Sequence, residues 1–301
     1  MQTGCTKITN LDKLVEDVYG VLEGKSLVDP EMFDKYRLLV GDAVIGRLVT
    51  EDRKPNLRMS NLGKPLRQLW YELNGYQGEK LTGQTLLKFS YGHLVESLCI
   101  ILAEASGHKV ERLQEEIEVD GVKGHIDCVI DGVLVDVKSC SSYSFNKFKY
   151  GKVFDDDPFG YVAQLSGYAH ALGLPAAWIA IDKVSGEICI LDLPKEKIDG
   201  YDVRSRISTV RQAIASEGPP ERCYEDEADG RSGNRKLSIG CSYCQFKFHC
   251  WKDANEGRGL QTYYYSTGPR YLSKVIREPK VNKEETLEDS VVFPIKEKNI
   301  V

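Results

Sequence analysis

Apolar positions near the start of the chain recur at helical spacing. Leu11, Leu14, Val15, Val18 and Leu22 form one stripe, with Thr9 or Asn10 available as its cap. Further helices are expected over residues 31–49, 60–73 and 84–105, the last ended by Gly107. The period then shortens, and residues 115–119, 124–130 and 133–137 are predicted as strands joined by short turns. A helix over 159–172, strands over 176–182 and 187–193 and a helix over 203–216 follow. Cysteines crowd into 223–251, and beyond about residue 266 the chain is polar and lysine-rich, a tail given no regular structure.

This order of elements predicts an α/β fold, a mixed central sheet flanked by helices, with a helical N-terminal extension and a cysteine-bound C-terminal cap. The expected divisions are 1–83 for the extension, 84–200 for the core, 201–265 for a helix plus metal-cluster cap and 266–301 for the tail. With 301 residues, 42% hydrophobic and 28% charged, the chain can bury a real core, which excludes wholesale disorder. No uninterrupted apolar run approaches a membrane span, so no membrane partner is expected. Met1 to Lys7 lacks the apolar centre of a signal peptide, pointing to the cytoplasm. Nine cysteines in a reducing compartment more often hold metal than disulfides. The net charge of −5 gives no global basic field, so nucleic acid would need a local patch.

The most informative stretch runs from Gly124 to Lys138. Asp131-Gly132 between two apolar runs signals a two-residue hairpin. About that turn Asp127 opposes Asp136 and His125 opposes Lys138. Alternation puts Asp127, Asp136 and Lys138 on one face and Ile126, Cys128, Ile130, Val133, Val135 and Val137 on the core face. Two carboxylates across a hairpin repel one another unless a cation lies between them or one is protonated. Hard oxygen ligands favour Mg²⁺ or Mn²⁺, and a lysine beside that metal orients a water or steadies developing charge. A solvated acidic face is the competing reading of the hairpin alone.

Asp127 followed by Asp136-Val137-Lys138 resembles the PD-(D/E)XK nuclease superfamily. Gln164-Leu165-Ser166-Gly167-Tyr168, beginning 26 residues after Lys138, resembles the QxxxY motif of its RecB-like branch. Gln164 and Tyr168 are four apart on a helix and share a face. Tyr91-Gly92-His93-Leu94-Val95-Glu96 resembles that branch's first motif, with Glu96 where a metal-binding His is usual, and His93 remains a second candidate. Ile126 stands where the superfamily's name has Pro. The resemblance covers roughly residues 60–251. It implies a nuclease core in which Glu96, Asp127, Asp136 and the carbonyl of Val137 bind the metal, Lys138 assists the nucleophile, and Gln164 and Tyr168 position the strand.

Cys241, Cys244 and Cys250 form a C-x2-C-x5-C array able to converge on one soft metal centre, and Cys223 is the nearest fourth ligand. The array resembles the iron–sulfur nucleases of the same branch, which implies a 4Fe–4S cluster, with Zn²⁺ the alternative that spacing leaves open. Many such members take one ligand from upstream of the core. The helix around residues 60–71 has no cysteine, so Cys223 closes the site here, with Cys5 the fallback. Residues 232–237 are similar to phage-encoded nucleases of this type. Cys99, Cys128, Cys140 and Cys189 sit in apolar patterns and are expected in or near the core.

Between Lys138 and Phe154 lie Lys147, Lys149 and Lys152 with no acid, interleaved with Tyr143, Phe148 and other aromatics. Cations for phosphates and rings for bases suit a single or frayed strand. Arg58, Lys64 and Arg67 extend that track. The expectation is therefore a metal-dependent deoxyribonuclease, an exonuclease in phage-like replication or recombination. It would act in the host cytoplasm, with a recombination or helicase partner. The rivals are a catalytically silent DNA-binding or assembly factor, which predicts a broken acid–lysine set, and an electron-transfer protein, which predicts an exposed cluster with a partner or flavin site, whereas no phosphate-binding glycine loop or dinucleotide fingerprint appears in the sequence.

Overall fold

The structure, a computed structural model, describes residues 11–25, 29–30, 32–48 and 55–283. Thr9, Asn10 and Cys5 lie outside the described residues. The chain divides into two compact units, Met1–Cys223 and Tyr224–Val301.

The first unit opens with helices α1 (Leu14–Leu22), α2 (Met32–Leu48), α3 (Leu66–Leu73) and α4 (Gly83–Ala105). The helix expected over 60–73 is instead a 3-10 turn at Met59–Asn61 followed by α3, because Pro65 holds the residue before it out of helical geometry. Next come β1 (Val110–Glu111), β2 (Glu116–Val119), β3 (Val122–His125), β4 (Cys128–Ile130) and β5 (Val133–Cys140). Helices α5 (Ser142–Lys149) and α6 (Tyr161–Leu172) lead to β6 (Ala176–Asp182), β7 (Ile188–Asp192), α7 (Lys195–Asp199) and α8 (Val203–Ile214).

Five strands make the central sheet in the order β1-β4-β5-β6-β7. Only β5 and β6 pair in parallel, and the other pairings are antiparallel, so the sheet is mixed. A parallel pair needs a long crossover, which α5 and α6 supply. Alternation along β5 sends Leu134 to one apolar cluster with Phe145, Phe148, Leu165, Tyr168, Trp178, Val203 and Ile207. Val133, Val135 and Val137 go to the other, with Leu14, Val18, Cys99, Ile100 and Ala103. Helices thus cover both faces, giving three layers.

Helix α8 buries its stripe of Val203, Ile207 and Val210 in the first of those clusters. It belongs with the core and not with the cysteine segment, as the 201–265 division had it. Helix α4 is, by length and composition, the one described helix able to cross a membrane. Its C-terminal half nevertheless packs Cys99, Ile100, Leu102 and Ala103 into the core.

The single strand expected over 124–130 is broken. β3 pairs with β2 in a separate two-stranded ribbon, and β4 pairs with β1 and β5. His125 therefore faces Glu116 and not Lys138. Ile126 joins the Leu134 cluster, opposite to the face expected for it.

In the second unit β8 (Asp226–Ala228), β9 (Arg235–Leu237), β10 (Gln261–Tyr265), β11 (Gly268–Lys274) and β12 (Asn282–Lys283) form an antiparallel sheet in the order β12-β10-β11-β9-β8. Short helices α9 (Ile239–Ser242) and α10 (Lys247–Cys250) carry Cys241 and Cys250, and Cys244 lies between them. Its apolar core is small: Leu237, Trp251, Ala254 and Leu260, with Cys241, Cys250 and Tyr271 against it. Buried amides do much of the rest. Asn234 Oδ1 accepts from the N–H groups of Ile276 at 2.7 Å and Arg277 at 2.8 Å. Asn255 donates to the carbonyls of Gly259 and Leu272. The tail expected from 266 is corrected by β11, which pairs with β10 and β9 and buries Leu272.

Candidate active site

Asp131 and Gly132 both take positive φ, 49° and 83°, as a mirror-image two-residue turn requires. The ladder beyond them runs Ile130↔Val133, Val129↔Leu134 and Cys128↔Val135. Continued one rung, that register sets Asp127 against Asp136, as expected. Asp127 Oδ2 accepts a hydrogen bond from the Val137 N–H at 2.8 Å. Lys138 donates to Asp136 Oδ1 at 2.8 Å. Its ammonium lies 2.7 Å from Oδ2 as well, but that oxygen is buried and accepts no aligned hydrogen bond among the described residues.

Burial pushes the Asp127 carboxyl well above its ordinary value, and the charges of Asp136 and Glu96 push it further. Asp136 is raised too. Burial outweighs the opposing pull of its Lys138 ion pair. Burial works against the Lys138 ammonium, but Asp136 and Asp127 overcome it and raise its pKa. These groups form one electrostatic unit in which every charge feels the others.

Glu96 comes from α4. Its Oε1 accepts from Gln114 Nε2 at 2.7 Å, while His93 Nδ1 lies 3.8 Å from Oε2. Cys99, one turn further on, is raised to about 12 by burial, with Asp127 and Glu96 adding to it, so α4 delivers Glu96 to the same neighbourhood as the two aspartates.

Helix α6 lies over the Asp136 face of the sheet. The Tyr168 ring is buried, and its hydroxyl has no hydrogen-bond partner among the described residues. Burial raises its pKa, with Asp136 and Asp127 contributing and Arg58 opposing, which places the hydroxyl within range of the carboxylates. A Cβ at Gly124 would come within 2.6 Å of that hydroxyl. Gln164 is half-buried one turn before Tyr168. Tyr161, a further turn back, was not singled out in the sequence. The Lys138 ammonium stands 5.0 Å from its ring centroid, and the 161–164–168 spacing was the available signal. Gln114, also not anticipated, carries no signal in the sequence.

Among the described residues no three His, Cys, Asp or Glu side chains already stand at metal-binding distance from a common point. The donor set nevertheless fits a hard divalent cation. Asp127, Asp136 and Glu96 are close enough to feel one another's charge, and Asp136 Oδ2, buried against the Lys138 ammonium, accepts no aligned hydrogen bond among the described residues.

The expected strand-binding surface is partly revised. Phe148 is buried against Trp178 and Tyr161, so it is core and no base stacks on it. Lys147 pairs with Asp156 and Lys149 with Glu187, each at 2.5 Å. The stretch without acids in sequence is not without acids in space. Tyr143 and Lys152 are exposed. Lys64 is paired with Glu72, and Arg67 donates to the Pro220 carbonyl and lies over the Tyr71 ring, whereas the charge of Arg58 acts on Tyr168.

Cys99, Cys128 and Cys140 are buried and Cys189 is half-buried, as expected. Cys244 is pushed up to about 11 by burial, with Cys241 and Cys250 adding to it, so the three thiols of the array share one neighbourhood. Cys223 is exposed at the end of the first unit.

No family model matches the sequence, and no curated protein matches it significantly. Among solved structures the chain is similar to SSO0001 at 15% identity over 70% of this chain and 93% of that one, with a TM-score of 0.39. LHK-Exo, solved in complex with dAMP, is 15% identical over 54% of this chain and 88% of its own, with a TM-score of 0.38. A phage-related exonuclease from Haemophilus somnus 129PT is 16% identical over 53% and 93%, with a TM-score of 0.37. Scores this low carry no conclusion about fold or activity.

Proposed function

We propose that this chain is a metal-dependent deoxyribonuclease of the PD-(D/E)XK superfamily, in its RecB-like branch, acting as an exonuclease in phage-like DNA replication or recombination. The observation that carries the reading is the Asp127–Asp136–Lys138 unit, with Asp136 and Lys138 paired within strand β5, Asp127 bonded to the Val137 N–H, and Glu96 close enough to raise the Asp127 carboxyl. Glu96, Asp127, Asp136 and the Val137 carbonyl would hold Mg²⁺ or Mn²⁺. A bound ion of this kind supplies an activated water and neutralises charge on the phosphate.

Lys138 would donate to the attacking water or to the charge that develops. Gln164 and Tyr168 would position the strand, and Arg58, Lys152 and Tyr143 would line its path, with Lys147 and Lys149 recruited from their surface pairs. Single or frayed ends suit this mixture of cations and exposed rings. Cys223, Cys241, Cys244 and Cys250 would hold a 4Fe–4S cluster or Zn²⁺. The setting that goes with this reading is a host cytoplasm, with a recombination or helicase partner.

Digestion of end-labelled DNA with Mg²⁺ or Mn²⁺, using anaerobically purified protein, tests it. Asp136→Ala and Lys138→Ala are each expected to lose at least about a hundredfold in rate while DNA binding survives. Near-normal cleavage by either variant removes the assignment.

A further inference from the structure

Gln114 is one of six non-glycine residues with positive φ among the described residues, at 50°. Such a backbone is strained for a residue with a Cβ, and persists where the surroundings impose it. Two contacts do so here. Its N–H donates to the carbonyl of Asp127 at 3.0 Å, and its side-chain amide donates to Glu96 Oε1 at 2.7 Å. One residue therefore ties the segment that carries Asp127 to the helix that carries Glu96. Its own side chain is exposed, so burial of apolar surface does not explain the conformation.

We infer that Gln114 is a positioning residue, held in a left-handed conformation so that it aims the Glu96 carboxylate at the metal-binding group formed with Asp127 and Asp136. The inference rests on the metal reading above. An amide donor suits the task. It fixes one carboxylate oxygen and leaves the other for the cation, and unlike Lys or Arg it adds no positive charge to compete with that cation. His93, 3.8 Å from Oε2, lies beyond hydrogen-bond reach of the second oxygen.

Two substitutions separate this role from a structural one. Gln114→Gly keeps the N–H bond to Asp127, relieves the left-handed backbone and removes the amide. Gln114→Asn tolerates the same backbone but is too short to reach Glu96. Mn²⁺ titration calorimetry on the full-length protein is expected to show about three- to tenfold weaker binding for both, the range of one partly exposed hydrogen bond. The melting temperature of Gln114→Gly without metal should equal or exceed that of wild type. In a Glu96→Ala background, Gln114→Gly should change Mn²⁺ affinity no further, since coupled residues are not additive.

Affinity within twofold of wild type for both variants overturns the inference. So does a loss that persists in the Glu96→Ala background, or a lowered melting temperature in Gln114→Gly. Failure of the underlying reading has a different signature: a wild-type chain that binds no Mn²⁺, or an Asp136→Ala chain that binds it unchanged, removes the metal site itself.

Discussion

Asp127 is the residue on which the chemistry of this chain turns most visibly. Burial first, then Asp136 and Glu96, raise its carboxyl well above the usual 3.8. A folded-state pKa above the unfolded one stabilises the native state fully below the unfolded value, and that contribution is lost as pH rises through the folded value. The metal-free protein should therefore lose stability through this group between about 3.8 and that raised value. A divalent cation favours the carboxylate, so metal binding should release protons and tighten with pH. Thermal melts in chelator across that range should show a slope that Asp127→Asn flattens, with the variant melting above wild type at the alkaline end. An Asp127→Asn slope equal to wild type would show that this carboxyl is not the group being titrated. The Asp127–Asp136–Lys138 set was legible because a two-residue turn fixes register without help from the rest of the fold. Phe148 was misassigned because interleaving with lysines does not say which way a ring points. Gln114 was invisible, since its role depends on a backbone conformation and two contacts distant in sequence.

At the scale of elements, the break between β3 and β4 does what one continuous strand would not. It turns the chain at Ile126 and Asp127, sends β3 to pair with β2 and leaves Asp127 just before β4, which pairs with β5. Alternation from His125 to Cys128 passes across the break unmarked, and only the pairing partners reveal it. Gly124 is its fixed point: a Cβ there would meet Met59 Cβ at 2.5 Å and the Tyr168 hydroxyl at 2.6 Å. Met59 belongs to the 3-10 turn before α3, so three segments meet at one residue without a side chain. Gly124→Ala is expected to cost roughly 1–3 kcal/mol, as overpacking does, and to slow cleavage beyond what the stability loss explains, because Tyr168 is displaced towards the carboxylates. Denaturant melts and rate measurements on the same preparation check both. A variant as stable and as active as wild type would mean that the ribbon shifts away and that β3 does not brace Tyr168.

For the whole molecule the question is what holds the second unit together. Its apolar cluster is Leu237, Trp251, Ala254 and Leu260, with Phe246, Tyr263 and Leu272 also buried, a core far smaller than the two that cover the sheet of the first unit. Folds of about sixty residues with so little apolar burial generally need a disulfide or a metal. The network around Asn234, Asn255 and Asp226 orders the β11 side, but net hydrogen-bond gains are modest. Cys241, Cys244 and Cys250 gather where α9 and α10 meet that core, so a bound metal would contribute folding free energy directly. The cysteine spacing made this site legible, whereas β11 was hidden because the chain beyond about residue 266 is polar and lysine-rich. An anaerobic preparation is expected to be brown, with about four iron and four sulfide per chain for a four-thiolate cubane. A colourless protein with one zinc would keep the ligands and change the metal. Cys244→Ser should lose the metal and lower the melting temperature, and Cys223→Ser should do the same if it is the fourth ligand, whereas Cys5→Ser should do neither. If Cys5→Ser bleaches the protein and Cys223→Ser does not, the fourth thiolate comes from the start of the chain. If Cys244→Ser keeps both its metal and its melting temperature, no metal site lies at the array, and the polar network alone sustains the second unit.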